Sequence, residues 1–298
     1  VAYKDGNAGA LKKHGLEVEV NWKNTTSGGF TYNFGGMIGL SENRITKYGD
    51  APYAPEYQKY AGTPLQSART GDQLIDDRFF GSIDEIHGYP NYATEWTNVV
   101  PGVYKFLDYV PDGKISQQDL HVLEGSTYAP GVYSFNVGGA YKGLTFKVLC
   151  TGTIGKYINY KRVNIVPFYA GAYVIHDSHL NYWTPTNRDS DIPALSFSDE
   201  MYAWGGGTST YPGYNLAIPD FTWKRSDYMT VKEVMVSYRF SGPNIKRILG
   251  VKHLAVGLVC NNLWTFSNIK DTDPQRLTTA ANSYPTMRML KLNVNLAF

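Results

Sequence analysis

Apolar and polar residues alternate along seven stretches of this chain, most cleanly in the last. Over residues 286–298, Leu290, Leu292, Val294, Leu296 and Phe298 form one row, and Met289, Lys291, Asn293, Asn295 and Ala297 the other. A strand throws successive side chains to opposite faces, so the stretch predicts a strand with one greasy and one mostly polar side. Residues 14–24 set Leu16, Val18, Val20 and Trp22 against Glu17, Glu19, Asn21 and Lys23. Residues 30–41 repeat the pattern after a short Gly-containing turn, which together reads as a hairpin. Residues 131–140 and 144–156 make a second pair around Tyr141-Lys142-Gly143, with Leu149 the one apolar misfit on its polar row. Residues 228–240 and 251–262 follow, linked by 243–250, a connection suited to a helical turn. Met229 and Val231 are out of phase with Val234, Val236, Tyr238 and Phe240, which predicts a bulge near Lys232-Glu233.

The connections alternate as well. Those at 24–29, 141–143 and 241–250 are short, whereas 43–129, 157–227 and 266–285 are long. An antiparallel meander then has all its short turns at one end. Outer-membrane barrels combine short periplasmic turns, longer external loops, an outward apolar row and an inward polar one. A soluble β-sandwich has no need to gather its long loops at one end, although antibody-like modules approach that arrangement. The expected fold class is therefore all-β, a transmembrane antiparallel β-barrel. Seven strands fall short of the even count of at least ~8 that closes a bacterial barrel. The chain also opens at Val1 on what reads as mid-protein sequence, so it is expected to be part of a larger barrel, with its N-terminal portion elsewhere.

Composition narrows the partners. Net charge is +2, which gives no strong electrostatic case for nucleic acid or acidic lipid. Charged residues make up 18%, below the usual ~25%, while Gly (30) and Tyr (24) are abundant for this length. No apolar run of ~18 residues exists to form a membrane helix. Cys150 and Cys260 lie on the apolar rows as small hydrophobes. Trp22, Tyr133, Tyr238, Trp264 and Phe298 are candidates for aromatic girdles at the membrane interfaces.

Several motifs, in order along the chain, resemble the C-terminal barrel of SusC/RagA-type TonB-dependent outer-membrane transporters. They are KHGLEVEVNW, LDYVPDGKISQQDL, YKGLTFKVLCTGTIGK, NYWTPTN, YMTVKEVMVSYRF, VCNNLWTFSNIKDTDPQ and the closing SYPTMRMLKLNVNLAF. The resemblance implies that residues 1–298 are the C-terminal part of a 22-stranded barrel importing glycan or peptide oligomers. It implies an N-terminal plug and a TonB-contacting segment outside this chain, and a SusD/RagB-like surface lipoprotein as partner. The place is then the bacterial outer membrane, with long loops outside and lipid around the wall. The alternative is a secreted β-sheet glycan-binding protein without transport activity. An outer-membrane hydrolase is a third class, but no catalytic constellation supports it.

Two constellations stand out. Residues 108–119 space like a calcium loop, with Asp108, Asp112, the Lys114 carbonyl, Ser116 and Asp119 as oxygen donors and Gly113 at the sharp turn. Val110 replaces the third-position ligand and Asp119 is shorter than the usual bidentate Glu, so the ligand count favours a loop that keeps its turn without metal. Calcium is the one cofactor the sequence suggests. The second long loop holds Asn181, Trp183, Arg188, Tyr202 and Trp204, a mixture of rings and polar groups that suits sugar or peptide binding. The same residues also suit packing of the loop on itself or on a partner. The six His are scattered, and no zinc, phosphate-loop or dinucleotide motif occurs, so an enzyme is not expected.

Overall fold

Seven strands form one sheet in which sequence neighbours are also spatial neighbours throughout. They are β1 (Ala10–Thr25), β2 (Thr31–Lys47), β3 (Gly131–Tyr141), β4 (Leu144–Ile154), β5 (Tyr228–Ser241), β6 (His253–Ser267) and β7 (Met289–Ala297). All six pairings are antiparallel. The computed structural model describes residues 9–67, 69–70, 74–92, 100–102, 104–115, 117–119, 121–159, 177–190, 192, 194, 223–269, 273–275 and 286–298.

The register joins the apolar rows of single strands into one face. Val18 lies opposite Ile38, and Ile38 opposite Tyr133. Phe146 pairs with Val236, Val236 with Leu258, and Leu258 with Leu292. A one-residue slip would send a whole row to the other side, so agreement across all seven strands is a strong constraint. The expected bulge is present. Cys150 pairs with Val231 and Leu149 with Glu233, so Lys232 is the extra residue on β5. That step returns Met229 and Val231 to the apolar face, opposite Phe266 and Trp264. The register against β6 shifts at the same level, beside Asn262, whose φ is 53°.

The apolar face remains open. Leu16 is 65% exposed, Leu290 74% and Leu292 66%. From Leu254 to Trp264 the apolar row of β6 spans ten residue steps. At ~3.3 Å per residue that is roughly 33 Å of strand. A tilt of ~40° reduces it to roughly 25 Å of height, the span of a barrel's lipid-facing band.

The opposite face is polar and closely fitted. Asn33 Nδ2 donates to Asn136 Oδ1 at 3.3 Å, and Lys147 pairs with Glu233 at 3.2 Å. A Cβ on Gly35 would sit 2.4 Å from Asn136 Nδ2 and 2.6 Å from Asn21 Oδ1. Glycine thus makes room there for an asparagine row across β1, β2 and β3. Leu149, the misfit, is half-buried on this face between Asn136 and Glu233.

Connections differ at the two ends of the wall. Lys142-Gly143 closes one hairpin with φ of 45° and 90°, the twist that suits a two-residue turn. The β5–β6 connection carries a helix, Pro243–Leu249, longer than the single turn expected. Several strands run past their expected limits: β1 begins at Ala10, β2 continues to Lys47 and β6 to Ser267. These extensions carry the wall beyond the apolar rows into the loop layer.

Candidate functional site

The three long connections pack into a layer above the wall, and this layer holds most of the conventional core. Phe79, Phe80, Phe106, Ile158, Trp183 and Ile192 are all buried, Phe80 completely. No periodic signal in the sequence marks it, because its members come from short pieces: Phe79 from the strand Leu74–Phe79, Phe106 from the strand Tyr104–Phe106, and Phe80 from the link to the helix Ile83–His87. Ser82 caps that helix, its hydroxyl accepting from Glu85 N.

The first and second loops meet at Gly102 and Trp183. Gly102 has φ 92°, and a Cβ there would lie 2.5 Å from the Trp183 ring. Gly102 N donates to Phe80 O at 2.8 Å, and Ala194 N donates to Gly102 O at 3.0 Å. Glycine is needed at this point both for its backbone angle and for the ring packed against it. Beside this contact Lys105 pairs with Glu85. Burial alone would raise the Glu85 pKa. Hydrogen bonds from Lys105 and from Gly81 N, with the charges of Lys105 and Arg188, outweigh burial and hold the carboxyl below its ordinary value.

A second junction ties all three loops together. Tyr157 N donates to Ser126 O at 2.8 Å, and the Tyr157 ring stacks on Trp223 at 5.7 Å. Trp223 Nε1 donates to Glu124 O. Lys156 is buried, and its Nζ donates to Pro274 O at 2.8 Å. Burial lowers the Lys156 pKa, and the nearby Asp273 only partly opposes this.

The sequence candidates for substrate contact separate here. Trp183 is 5% exposed and packs inward. Asn181 and Arg188 stand at the surface. The Asn181 Oδ1 accepts from Asn187 Nδ2 at 2.9 Å, and the Asn181 carbonyl accepts from Ser190 Oγ. Arg188 lies against Gly81, its Nη1 3.2 Å from where a Cβ would sit. Tyr202 and Trp204 lie outside the described residues. The arrangement offers polar amide and guanidinium groups at the loop surface, and one ring that serves the core.

The calcium-like loop is a set of backbone turns held by its own carboxylates. Asp108 Oδ2 accepts from Gly113 N, Asp112 Oδ1 from Lys114 N and Asp119 Oδ1 from Val110 N. Asp119 is fully buried; nearby, His121 stacks on Tyr109 and Tyr57 packs against the same ring at a tilt. Asp108 Oδ1 is shielded and has no hydrogen-bond partner. Calcium takes six to eight oxygens, and among the described residues no group of three or more His, Cys, Asp or Glu gathers as a metal site. Ser116 lies outside the described residues.

No family model matches the chain. TonB-dependent receptor P26 of Formosa agariphila is 24% identical over 308 residues, covering 98% of this chain and 30% of that protein. TonB-dependent receptor P3 of the same organism is 22% identical, covering 98% of this chain and 29% of its own length. The chain thus spans about 30% of the curated relatives it matches. Among solved structures, the RagAB peptide transporter matches with a TM-score of 0.60 at 16% identity over 98% of this chain and 30% of that one. The RagAB peptide importer in its open-open state gives 0.61 at 16%, over 97% and 29%. These likenesses agree with the seven-stranded wall and its loop layer, and the chain is similar over nearly its whole length to part of a SusC/RagA-type TonB-dependent receptor.

Proposed function

We propose that the chain is the C-terminal wall and loop portion of an outer-membrane, TonB-dependent importer of nutrient oligomers. One observation carries the reading: seven registered strands leave a continuous apolar face open, while the loops above bury theirs. Lipid is the medium in which that open face is stable. The edge strands β1 and β7 each have one neighbour within the sheet, which suits a wall continued by further strands of the same protein. Capture would fall to the loop layer, where Asn181 and Arg188 present polar groups, working with a SusD/RagB-like lipoprotein. Energy coupling would fall to an N-terminal plug and the TonB complex. RagAB is a peptide transporter, and the polar loop surface here suits peptide or glycan.

Fractionation of cells that make the whole protein tests this. It should sediment with the outer membrane and require detergent for release, and its deletion should abolish energy-dependent uptake of a fluorescent oligopeptide or oligosaccharide. Recovery as a freely soluble protein would overturn the importer and favour a secreted glycan-binding protein.

A further inference from the structure

The short-turn end of the wall carries charge of one sign. Residues 20–36, 137–146, 234–254 and 293–298 converge there and contain none of the chain's 26 Asp and Glu. They hold Lys23, Lys142, Arg239, Lys246, Arg247 and Lys252. Among the described residues, none of these six has a carboxylate at ion-pair distance, whereas Arg44, Lys105 and Arg225 toward the loop end all do. The same rim is aromatic and greasy: Tyr238 and Phe240 pack at 4.7 Å, and Ile248 on the helix Pro243–Leu249 is 71% exposed.

A cleft of about 590 Å³ opens in this rim, between the β3–β4 turn and the helix. It crosses the edge of the sheet, so its lining draws on both rows. Thr31, Thr145, Arg239 and Ser241 come from the polar row, and Leu144, Tyr238 and Phe240 from the apolar one. Lys142 closes it from the turn, its φ of 45° held by Gly143, whose carbonyl accepts from Arg239 N at 2.9 Å. A site with two cations and three hydroxyls beside aromatic rings suits a ligand that is itself anionic at one end and apolar at the other.

We propose that this cleft binds the phosphodiester headgroup of an anionic phospholipid in the leaflet at the short-turn side. Lys142 and Arg239 take the phosphate, Thr31, Thr145 and Ser241 offer hydroxyls, and the acyl chains lie along Tyr238 and Phe240. The charge complementarity is that of basic groups placed at an anionic membrane surface. Lys246, Arg247 and Lys252 extend the same field around the helix. The proposal rests on the barrel reading above.

The test uses the full protein in detergent, with native mass spectrometry counting retained lipid. Phosphatidylglycerol and phosphatidylcholine of equal acyl chains are offered in turn, then inorganic phosphate as competitor. Phosphatidylglycerol should be retained selectively, and the double variant Lys142→Gln/Arg239→Gln should lower its retention by roughly 30-fold, the loss expected for two cations beside an anionic surface. Lys142→Arg should keep the preference, as should Lys12→Gln/Lys13→Gln at the far end of β1. Equal retention of both lipids, or a preference that survives the double variant, would overturn the proposal. Displacement by millimolar phosphate would also overturn it, showing a free-anion site instead. Heat-dependent gel mobility and outer-membrane recovery, read on every variant, report separately on whether the barrel itself stands.

Discussion

In the wall, Leu290, Leu292 and Leu16 are more than half exposed; in the loop layer, Phe80, Ile158 and Trp183 are almost fully hidden. Both regions belong to one chain with one composition, so the contrast lies in what surrounds them. The loop layer behaves like a small soluble domain, burying rings against rings and giving its buried charges hydrogen-bond partners, as for Lys156 and Asp119. The wall does the reverse, presenting apolar side chains outward and arranging Asn21, Asn33, Asn136, Lys147 and Glu233 inward. Water stabilises the first pattern and lipid the second.

Substitutions should respect this boundary. The largest effect is expected in the loop core, where Trp183→Ala should destabilise the layer by about 3–5 kcal/mol. Hydrogen exchange at the amides of Gly102 and Ala194 would register it, while β5 and β6 stay protected. Loss of protection in both regions alike would mean that the layer and wall unfold as one unit. Next, Val294→Arg should cost about 2–4 kcal/mol if its row faces lipid near the midplane. Asn293→Ala, one residue away on the other face, should cost much less. Denaturant titrations in micelles would compare the two, and equal costs would contradict the assigned faces.

Acid should loosen the loop layer before the wall. The Glu85 pKa is lowered in the fold, so its contribution is present above the unfolded value of about 4.3. That contribution is lost as pH falls through the lower folded value. Proteolysis of the loops should therefore accelerate below about pH 4, and Glu85→Gln should flatten that dependence. The smallest effect belongs to Lys147 and Glu233, a pair still partly open to solvent. A double-mutant cycle should give at most about 1 kcal/mol of coupling.

The wall was legible in the sequence because a strand in a two-sided environment writes its period into every second residue. Leu290 to Phe298 shows it, and even the Lys232 bulge was visible as a break in phase between Val231 and Val234. Strand ends were less legible, since the extensions at Ala10–Lys13 and Asn43–Lys47 are mostly polar and carry only the paired Leu11 and Ile45 as large apolar side chains. The helix Pro243–Leu249 was visible only as a turn. The loop layer was hardly legible at all. Its order depends on contacts between distant pieces, such as Gly102 with Trp183 and Lys156 with Pro274, and no local pattern encodes these. Trp183 shows the consequence: in sequence it suited a sugar platform, and in the fold it sits at 5% exposure inside the core.

Spin labels at successive positions from Leu290 to Leu296, in the whole protein within a lipid bilayer and with Cys150 and Cys260 replaced, test the central claim most directly. Collision with dissolved oxygen, which concentrates in lipid, should peak at Leu290, Leu292, Val294 and Leu296 and fall at Lys291, Asn293 and Asn295. A flat profile, or peaks on the Asn and Lys positions, would contradict a lipid-facing wall.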